Sequence, residues 1–446
     1  MAVQQLATGV DLLALARAFP ERYPHLLESA LIGQAPARFS ILFAFPGRHL
    51  STAAGDDILA RLDRDLSFPS PLDPEDQAYR YLPFLGGWFL YVGYEFAWTL
   101  EPALGRCAAD PWLPDAVLTW FPAAIVRDHL RGETFCVAAD NAAEYFARIR
   151  DDLERVGDPP DPASEPLPAM GLEEEDPEQY RDAVRRALEY IRAGDTFQVN
   201  LSREWRAEAR EPLDPAVLYG RLRRSNAAPY AAWLQWPEGH VISSSPERLV
   251  AVEDGRIETR PIAGTRRRDP DARADTRLSG ELEDNLKERA EHVMLVDLER
   301  NDLGRVARTG SVEVAELMTI ESYRRVHHIV SSIVARLRDG VDAADVLRAV
   351  FPGGTITGCP KIRSMQIIQE LEQGVARGAY TGSCGYLSRH GRMDTNILIR
   401  TLVVRGRRLR FRAGAGIVSD SDPERELAET RHKAHALVDA LTGGRE

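Results

Sequence analysis

Two stretches, Lys287-Glu288-Arg289-Ala290-Glu291-His292 and Glu426-Leu427-Ala428-Glu429-Thr430-Arg431-His432-Lys433, read as helical and carry glutamates three residues apart. At that spacing both carboxylates of a pair leave the same helical face. Four acids on two facing helices suit a hard, oxygen-seeking cation such as Mg2+, which keeps some waters and bridges to an anionic substrate. A fold that uses them must bring a mid-chain helix and a C-terminal helix to one place. Lys433 extends the second face by one turn, where it can meet a substrate carboxylate. Taken alone, such E-x-x-E faces are usually solvated ion-pair surfaces, so the rest of the chain decides.

Charge narrows the partners. With 68 acidic against 56 basic residues the 446-residue chain has a net charge of -12, which argues against nucleic acid, whose binding draws on clustered Lys and Arg, and against an anionic membrane surface. The basic runs Arg266-Arg267-Arg268 and residues 405–412 are short and read as solvated surface. The longest uncharged apolar stretch, residues 81–94, contains Pro83, Gly86 and Gly87 and falls short of the roughly 20 residues a bilayer requires. The first residues lack the basic start and apolar core of a signal peptide, so a cytoplasmic enzyme is expected. Cys107, Cys136, Cys359 and Cys384 lack C-x-x-C spacing, which indicates neither a disulfide scaffold nor a zinc site.

One composition shift organises the chain. Residues 157–176 are rich in Pro and acid and read as a linker, between an N-terminal region, 1–156, and a motif-bearing region, 177–446. The N-terminal part reads as mostly strands, with apolar runs at 39–45 and 88–92. After the linker, residues 180–193 have helical spacing with Gly194 as the C-cap. Strands are expected at 197–201, 231–235, 248–252, 256–259, 395–404 and 409–413.

The second region contains, in order, Phe197-Gln198-Val199-Asn200-Leu201-Ser202, Ser244-Ser245-Pro246-Glu247-Arg248, Pro261-Ile262-Ala263-Gly264-Thr265, the first acidic pair, and Val296-Asp297-Leu298-Glu299-Arg300-Asn301-Asp302-Leu303. His327-His328, Gly353-Gly354-Thr355-Ile356-Thr357-Gly358-Cys359-Pro360-Lys361, Gly414-Ala415-Gly416 and the second acidic pair follow. From about residue 175 to the end this series resembles the chorismate-utilising enzymes in order and gaps. The resemblance implies an α/β (α+β) fold of the anthranilate synthase component I type: two packed, mainly antiparallel sheets flanked by helices, with strands from both parts of the chain in each.

Chorismate has two carboxylates and an allylic C4 hydroxyl that must leave as water, so an enzyme acting on it needs anion clamps, a metal and an acid. By resemblance, Glu247 is that acid, which burial would keep protonated near neutral pH. The same resemblance implies that Gly416, with Gly414 freeing the backbone beside it, grips the enolpyruvyl carboxylate together with Tyr380 and Arg400. It implies Mg2+ held chiefly by Glu291 and Glu429, with Glu288 and Glu426 completing the acidic shell. Thr355 matches the family residue that contacts the ring carboxylate region, and His328 matches the family histidine near the substrate ring. The glycine run at 353–358 is not a nucleotide-binding loop, because Gly358 is followed by Cys359-Pro360 rather than Lys-Ser/Thr.

Family members that add water resemble one another in having lysine where this chain has Gln198. A glutamine cannot deprotonate water, whereas ammonia needs no base, so Gln198 points to amination. No amidotransferase motif occurs in the 446 residues, and a separate glutamine amidotransferase subunit is the expected partner in a heterodimer. Ala263 stands where many 4-aminating enzymes, the aminodeoxychorismate synthases, carry a nucleophilic lysine, and alanine is what anthranilate synthases have. The Ser-Pro-Glu-Arg run around Glu247, the glycine run and Asn396-Ile397-Leu398-Ile399-Arg400 look like the 4-aminating branch, which is therefore expected. Leu27-Glu28-Ser29 resembles the family's tryptophan-pocket motif. A non-catalytic chorismate-binding paralogue should have lost some of these groups, yet Glu247, all four paired glutamates and Lys433 are present.

Overall fold

The computed structural model describes residues 1–6, 9–30, 38–52, 56–60, 78–105, 107–157, 159–322 and 326–443. Among these residues the strands form two mainly antiparallel sheets, of 12 and 10 strands. Both sheets draw on both parts of the chain. In the larger, His25–Glu28 lies between Phe39–Ala44 and Tyr230–Trp236. In the smaller, Gly87–Val92 pairs along its length with Ser383–Ser388. The sheets meet through apolar faces: Ile41, Phe43 and Leu234 of one pack in a single cluster with Phe89, Tyr91 and Phe121 of the other. Alternation along each strand supplies this face, since successive side chains point to opposite sides.

Helices cover the outer faces. Pro177–Ala193 begins at Asp176, whose side chain accepts from Glu178 N, with proline at the first helical position, and ends at Gly194 at φ 83°. Only a residue without a Cβ takes that left-handed conformation freely. Pro423–Thr442 starts in the same way on Asp422 and packs on strand Arg408–Ile417. Leu286–Gly304 packs instead on strand Val326–Arg336 of the smaller sheet. The two acidic pairs therefore sit on helices carried by different sheets.

Several sequence expectations change. The stretch 157–176, read as a linker, contains strand Met170–Glu174, paired with Gln198–Ala209; Asp158 lies outside the described residues. The N-terminal part, read as mostly strands, also contains the 15-residue helix Ala142–Val156. The strand expected at 395–404 is two strands, Met393–Asn396 in the smaller sheet and Thr401–Arg405 in the larger. The chain crosses between sheets there, and Arg400 takes φ 52° at the crossing, a conformation rarely adopted outside glycine, Asn and Asp. The basic runs are not simply solvated: Arg266 pairs with Glu288, Arg268 with Asp275, and Arg412, 5 % exposed, with Glu372.

Candidate active site

Glu247 ends the turn after strand Gly239–Ser245. Its backbone N–H is taken by Ser245 Oγ at 3.2 Å and its carbonyl by Ile397 N at 3.0 Å. The side chain is buried rather than paired with its neighbour: Arg248 is bound instead by Asp394 and Glu258. Thr355 donates its hydroxyl to Glu247 Oε1 at 2.7 Å. Burial pushes the Glu247 carboxyl up to about 7; the Thr355 hydrogen bond opposes the rise and buried Glu299 adds to it. This is the condition for a carboxyl acid that still holds its proton near neutral pH.

Around Glu247 the other predicted groups gather. Its charge bears on Arg400, and Lys433 bears on Glu247 in turn. Burial and then Arg400 lower His328 to about 4, so its ring is neutral at pH 7, and Nδ1 lies 3.4 Å from Gly264 O. Ala263 lies opposite Ile329 in strand Ile262–Arg267, at a register break before Thr265. Gly264, at φ 67°, leaves a space in which an added Cβ would stand 2.7 Å from Glu288 Oε2. Burial raises Tyr380 to about 12, and the Arg377 guanidinium over its ring opposes the shift.

Strand Arg408–Ile417 supplies the glycine edge. Gly416 pairs with Asn200 and Gly414 with Ser202. A Cβ on Gly414 would lie 2.5 Å from Leu201 O and 2.7 Å from the Tyr380 hydroxyl, and one on Gly416 would lie 2.5 Å from Gln198 Nε2. Only glycine admits such close approach. Lys433 Nζ donates to Gly414 O at 3.1 Å and pairs with Glu429 at 2.7 Å.

The acidic pairs offer oxygen ligands in the chemistry Mg2+ prefers. Glu288 is held through Oε1 by Arg266 at 2.8 Å, while its Oε2 is buried without a hydrogen-bond partner beside the Gly264 gap. Among the described residues no three His, Cys, Asp or Glu side chains are drawn together as a complete metal cage. Carboxylates from two helices with waters and a substrate anion are a donor set that fits Mg2+. His292 instead fastens its helix to the sheet, with Nε2 2.6 Å from Ser331 Oγ.

Sequence reasoning assigned no role to three sets of residues. Glu299 accepts from Thr259 and from Gly354 N, at 3.0 and 3.3 Å, bracing the glycine run that presents Thr355. Glu372 is buried between Arg377 and Arg412 and also accepts from Ser202 N and Oγ. Asn200 is buried beside Gln198. Glu299 and Asn200 lay inside motif runs; Glu372 had no local signal, because its partners are brought by the fold.

Leu27, Glu28 and Ser29 line a separate cavity with Tyr230, Asp394 and Asn396. There Glu28 already accepts from the Tyr219 hydroxyl at 2.8 Å and from Arg223 at 3.2 Å.

The site so assembled combines a buried acid at about 7, a neutral histidine, an arginine at a sheet crossing and a glycine edge beside a lysine. The chorismate binding enzyme family model matches residues 28–439, and the chain belongs to that family. It is 40% identical over 448 residues to "Anthranilate synthase component 1" of Aquifex aeolicus, covering 93% of this chain and 88% of the relative. It is 38% identical over 431 residues to "Aminodeoxychorismate synthase component 1" of Klebsiella aerogenes, covering 93% of each. The crystal structure of anthranilate synthase component I from Streptococcus pneumoniae superposes with a TM-score of 0.79 at 33% identity, over 91% of this chain and 93% of that one. The expected two-sheet fold is thus present. No helix among the described residues is long and apolar enough to cross a membrane.

Proposed function

We propose that this protein aminates chorismate at C4, as component I of an aminodeoxychorismate synthase, using ammonia from a separate glutamine amidotransferase subunit in the cytoplasm. The observation that carries amination is Gln198: its carboxamide is buried against Gly416, and a carboxamide there can bind a nucleophile but cannot deprotonate water. Glu247 gives its proton to the departing C4 hydroxyl, which leaves as water. The C4–O bond breaks, the C4–N bond forms, and the nitrogen sheds one proton, so chorismate and ammonia become 4-amino-4-deoxychorismate and water. Gly416 N–H, Tyr380 and Arg400 hold the enolpyruvyl carboxylate, Thr355 orients Glu247 at the ring carboxylate, and neutral His328 lies against the ring.

Mg2+ would be held chiefly by Glu291 and Glu429, with Glu288 and Glu426 beside them. When bound, it neutralises the ring carboxylate and fixes its position.

A second reading, amination at C2 with loss of pyruvate to give anthranilate, is favoured by Ala263, which leaves no nucleophilic lysine at that strand position. Relatives of both names are similar to this chain to nearly the same degree. The branch is tested by incubating the purified chain with chorismate, Mg2+ and ammonium at mildly alkaline pH and identifying the product by mass spectrometry. A product that keeps its enolpyruvyl group, converted by added lyase to 4-aminobenzoate, supports C4 amination; fluorescent anthranilate with released pyruvate overturns it.

A further inference from the structure

Glu299 lies on the helix Leu286–Gly304, 3 % exposed, and its two oxygens reach two separate segments of chain. Oε1 accepts from Gly354 N at 3.3 Å, and Oε2 lies 3.0 Å from Thr259 Oγ1. Both segments lead to Glu247. Gly354 precedes Thr355, whose hydroxyl donates to Glu247 Oε1, and Thr259 ends its strand three residues before Ile262, whose backbone N–H also favours the Glu247 carboxylate. The approach is close: a Cβ added to Gly354 would stand 2.6 Å from Leu298 Cδ2 and 3.2 Å from Glu299 Oε1, so a glycine is needed for the helix to reach the run.

The proton count around Thr259 leaves Glu299 bound in either charge state. Thr259 Oγ1 is also 3.1 Å from Leu249 O. A hydroxyl has one proton to give, and a carbonyl can only accept. With Glu299 charged, Thr259 donates to the carboxylate and forgoes Leu249 O. With Glu299 protonated on Oε2, the carboxyl donates to Thr259, which donates on to Leu249 O, while Oε1 still accepts from Gly354 N. Burial, and then Asp302 on the same helix, raises Glu299; Lys361, Thr259 and Gly354 N oppose the rise. Asp302 is paired with Lys361 at 2.6 Å, and Arg305 also favours its charge.

At Glu247 the facing groups are Thr355, Ile262 N and Lys433, which favour a charge, and Glu299, which disfavours it; Arg400 faces the acid as well. Resting on the reading of Glu247 as the acid of the amination, we propose that Glu299 is a positioning residue for that acid, fastening both segments that hold the Glu247 carboxyl and setting a second carboxylate behind them. Glu299 acts through Glu247 rather than on the substrate. Its charge makes a second charge at Glu247 costly, so the acid keeps its proton to higher pH, where more of the ammonia is the uncharged nucleophile.

The test compares Glu299→Gln, whose amide reproduces the neutral arrangement without ever carrying the charge, with Glu299→Ala, which releases Gly354 N and Thr259. In kinetics of chorismate consumption at saturating free ammonia, the alkaline limb of kcat should move to lower pH in Glu299→Gln. Its kcat relative to the unaltered chain should fall about threefold or more between pH 6 and pH 9, with the chorismate KM within about twofold. Glu299→Ala should lose about tenfold or more in kcat across the range. A limb that stays in place or moves to higher pH in Glu299→Gln, or an alanine variant as active as the unaltered chain, overturns the proposal.

A second measurement needs no turnover. Infrared difference spectra of the unaltered chain against Glu247→Gln isolate the protonated Glu247 carboxyl, and its loss with rising pH gives a midpoint. Repeated in the Glu299→Gln background, that midpoint should fall by about half a pH unit or more, the same threefold effect. An unmoved midpoint overturns the inference whatever the product; a lowered midpoint in a chain without ammonia-dependent turnover upholds the link between the two carboxyls and defeats the amination reading alone.

Discussion

The Thr355 hydroxyl donates to Glu247 Oε1 at 2.7 Å, joining a residue of the glycine run to the acid of the Ser-Pro-Glu-Arg motif 108 positions earlier. A hydrogen bond to a carboxylate favours its charged form. Thr355 therefore restrains a rise that burial would otherwise carry further. Thr355→Val should move the alkaline limb of the kcat profile to higher pH, because Glu247 then keeps its proton longer. A pH–rate profile with an unmoved or acid-shifted limb would show that Thr355 does not tune this acid.

Glu247→Gln should lower turnover by about 10²-fold or more, the usual worth of a positioned general acid, while chorismate still binds in a calorimeter. The same variant carries a stability prediction with a definite sign. A carboxyl raised from 4.5 to about 7 binds its proton more tightly folded than unfolded, so its cost to the fold is absent below about pH 4.5, grows between those values and is complete above pH 7. At pH 8 the glutamine variant should be the more stable protein, by up to about 3 kcal/mol, and at pH 4 the difference should vanish. Equal urea midpoints at pH 8 would contradict this.

Glu429→Ala should abolish Mg2+-dependent turnover and leave the fold intact, since the Glu429 side chain is half exposed on the last helix, where it pairs with Lys433 one turn on. Chelation of the metal should have the same effect on the unaltered chain and be reversed by adding Mg2+. Undiminished activity in the variant would refute the metal assignment.

Glu372→Gln should be among the most damaging changes outside the acid site. It leaves Arg377 and Arg412 buried without their shared carboxylate, and breaking a buried ion pair in this way costs about 3–5 kcal/mol. Replacing a surface partner such as Glu178, bound to exposed Arg185, should cost about 0–1 kcal/mol. Chemical denaturation of both variants measures the contrast.

The sequence was most readable where one local rule acted alone. Helical spacing and the glycine at its end marked residues 180–193 of the helix Pro177–Ala193, and the spacing of Glu426 and Glu429 marked the last helix. It misled where tertiary pairing overrode composition. Met170–Glu174 lies in a stretch of acid and proline, yet forms a strand because Gln198–Ala209 offers it an edge. The run from 395 to 404 keeps an apolar character through the crossing, so nothing local marks the change of sheet at Arg400. Arg412 looked like one more surface charge; its neutralising partner, Glu372, is 40 positions away in sequence. Of the candidate site, the motif residues around Glu247 were legible because they sit in compact runs, whereas the approach of Gln198 to Gly416 depended on the pairing of two strands far apart in sequence.

The pairing of His25–Glu28 with Tyr230–Trp236, and of Gly87–Val92 with Ser383–Ser388, bears on how the chain can be divided. A fragment beginning at the helix Pro177–Ala193 would keep every motif of the acid site but open the strand edges of Tyr230–Trp236 and Ser383–Ser388, and the part of Gln198–Ala209 that Met170–Glu174 covers, to solvent. Such edges recruit other chains, so the isolated fragment should precipitate, and co-expression of the two pieces should recover soluble protein by restoring the missing neighbours in trans.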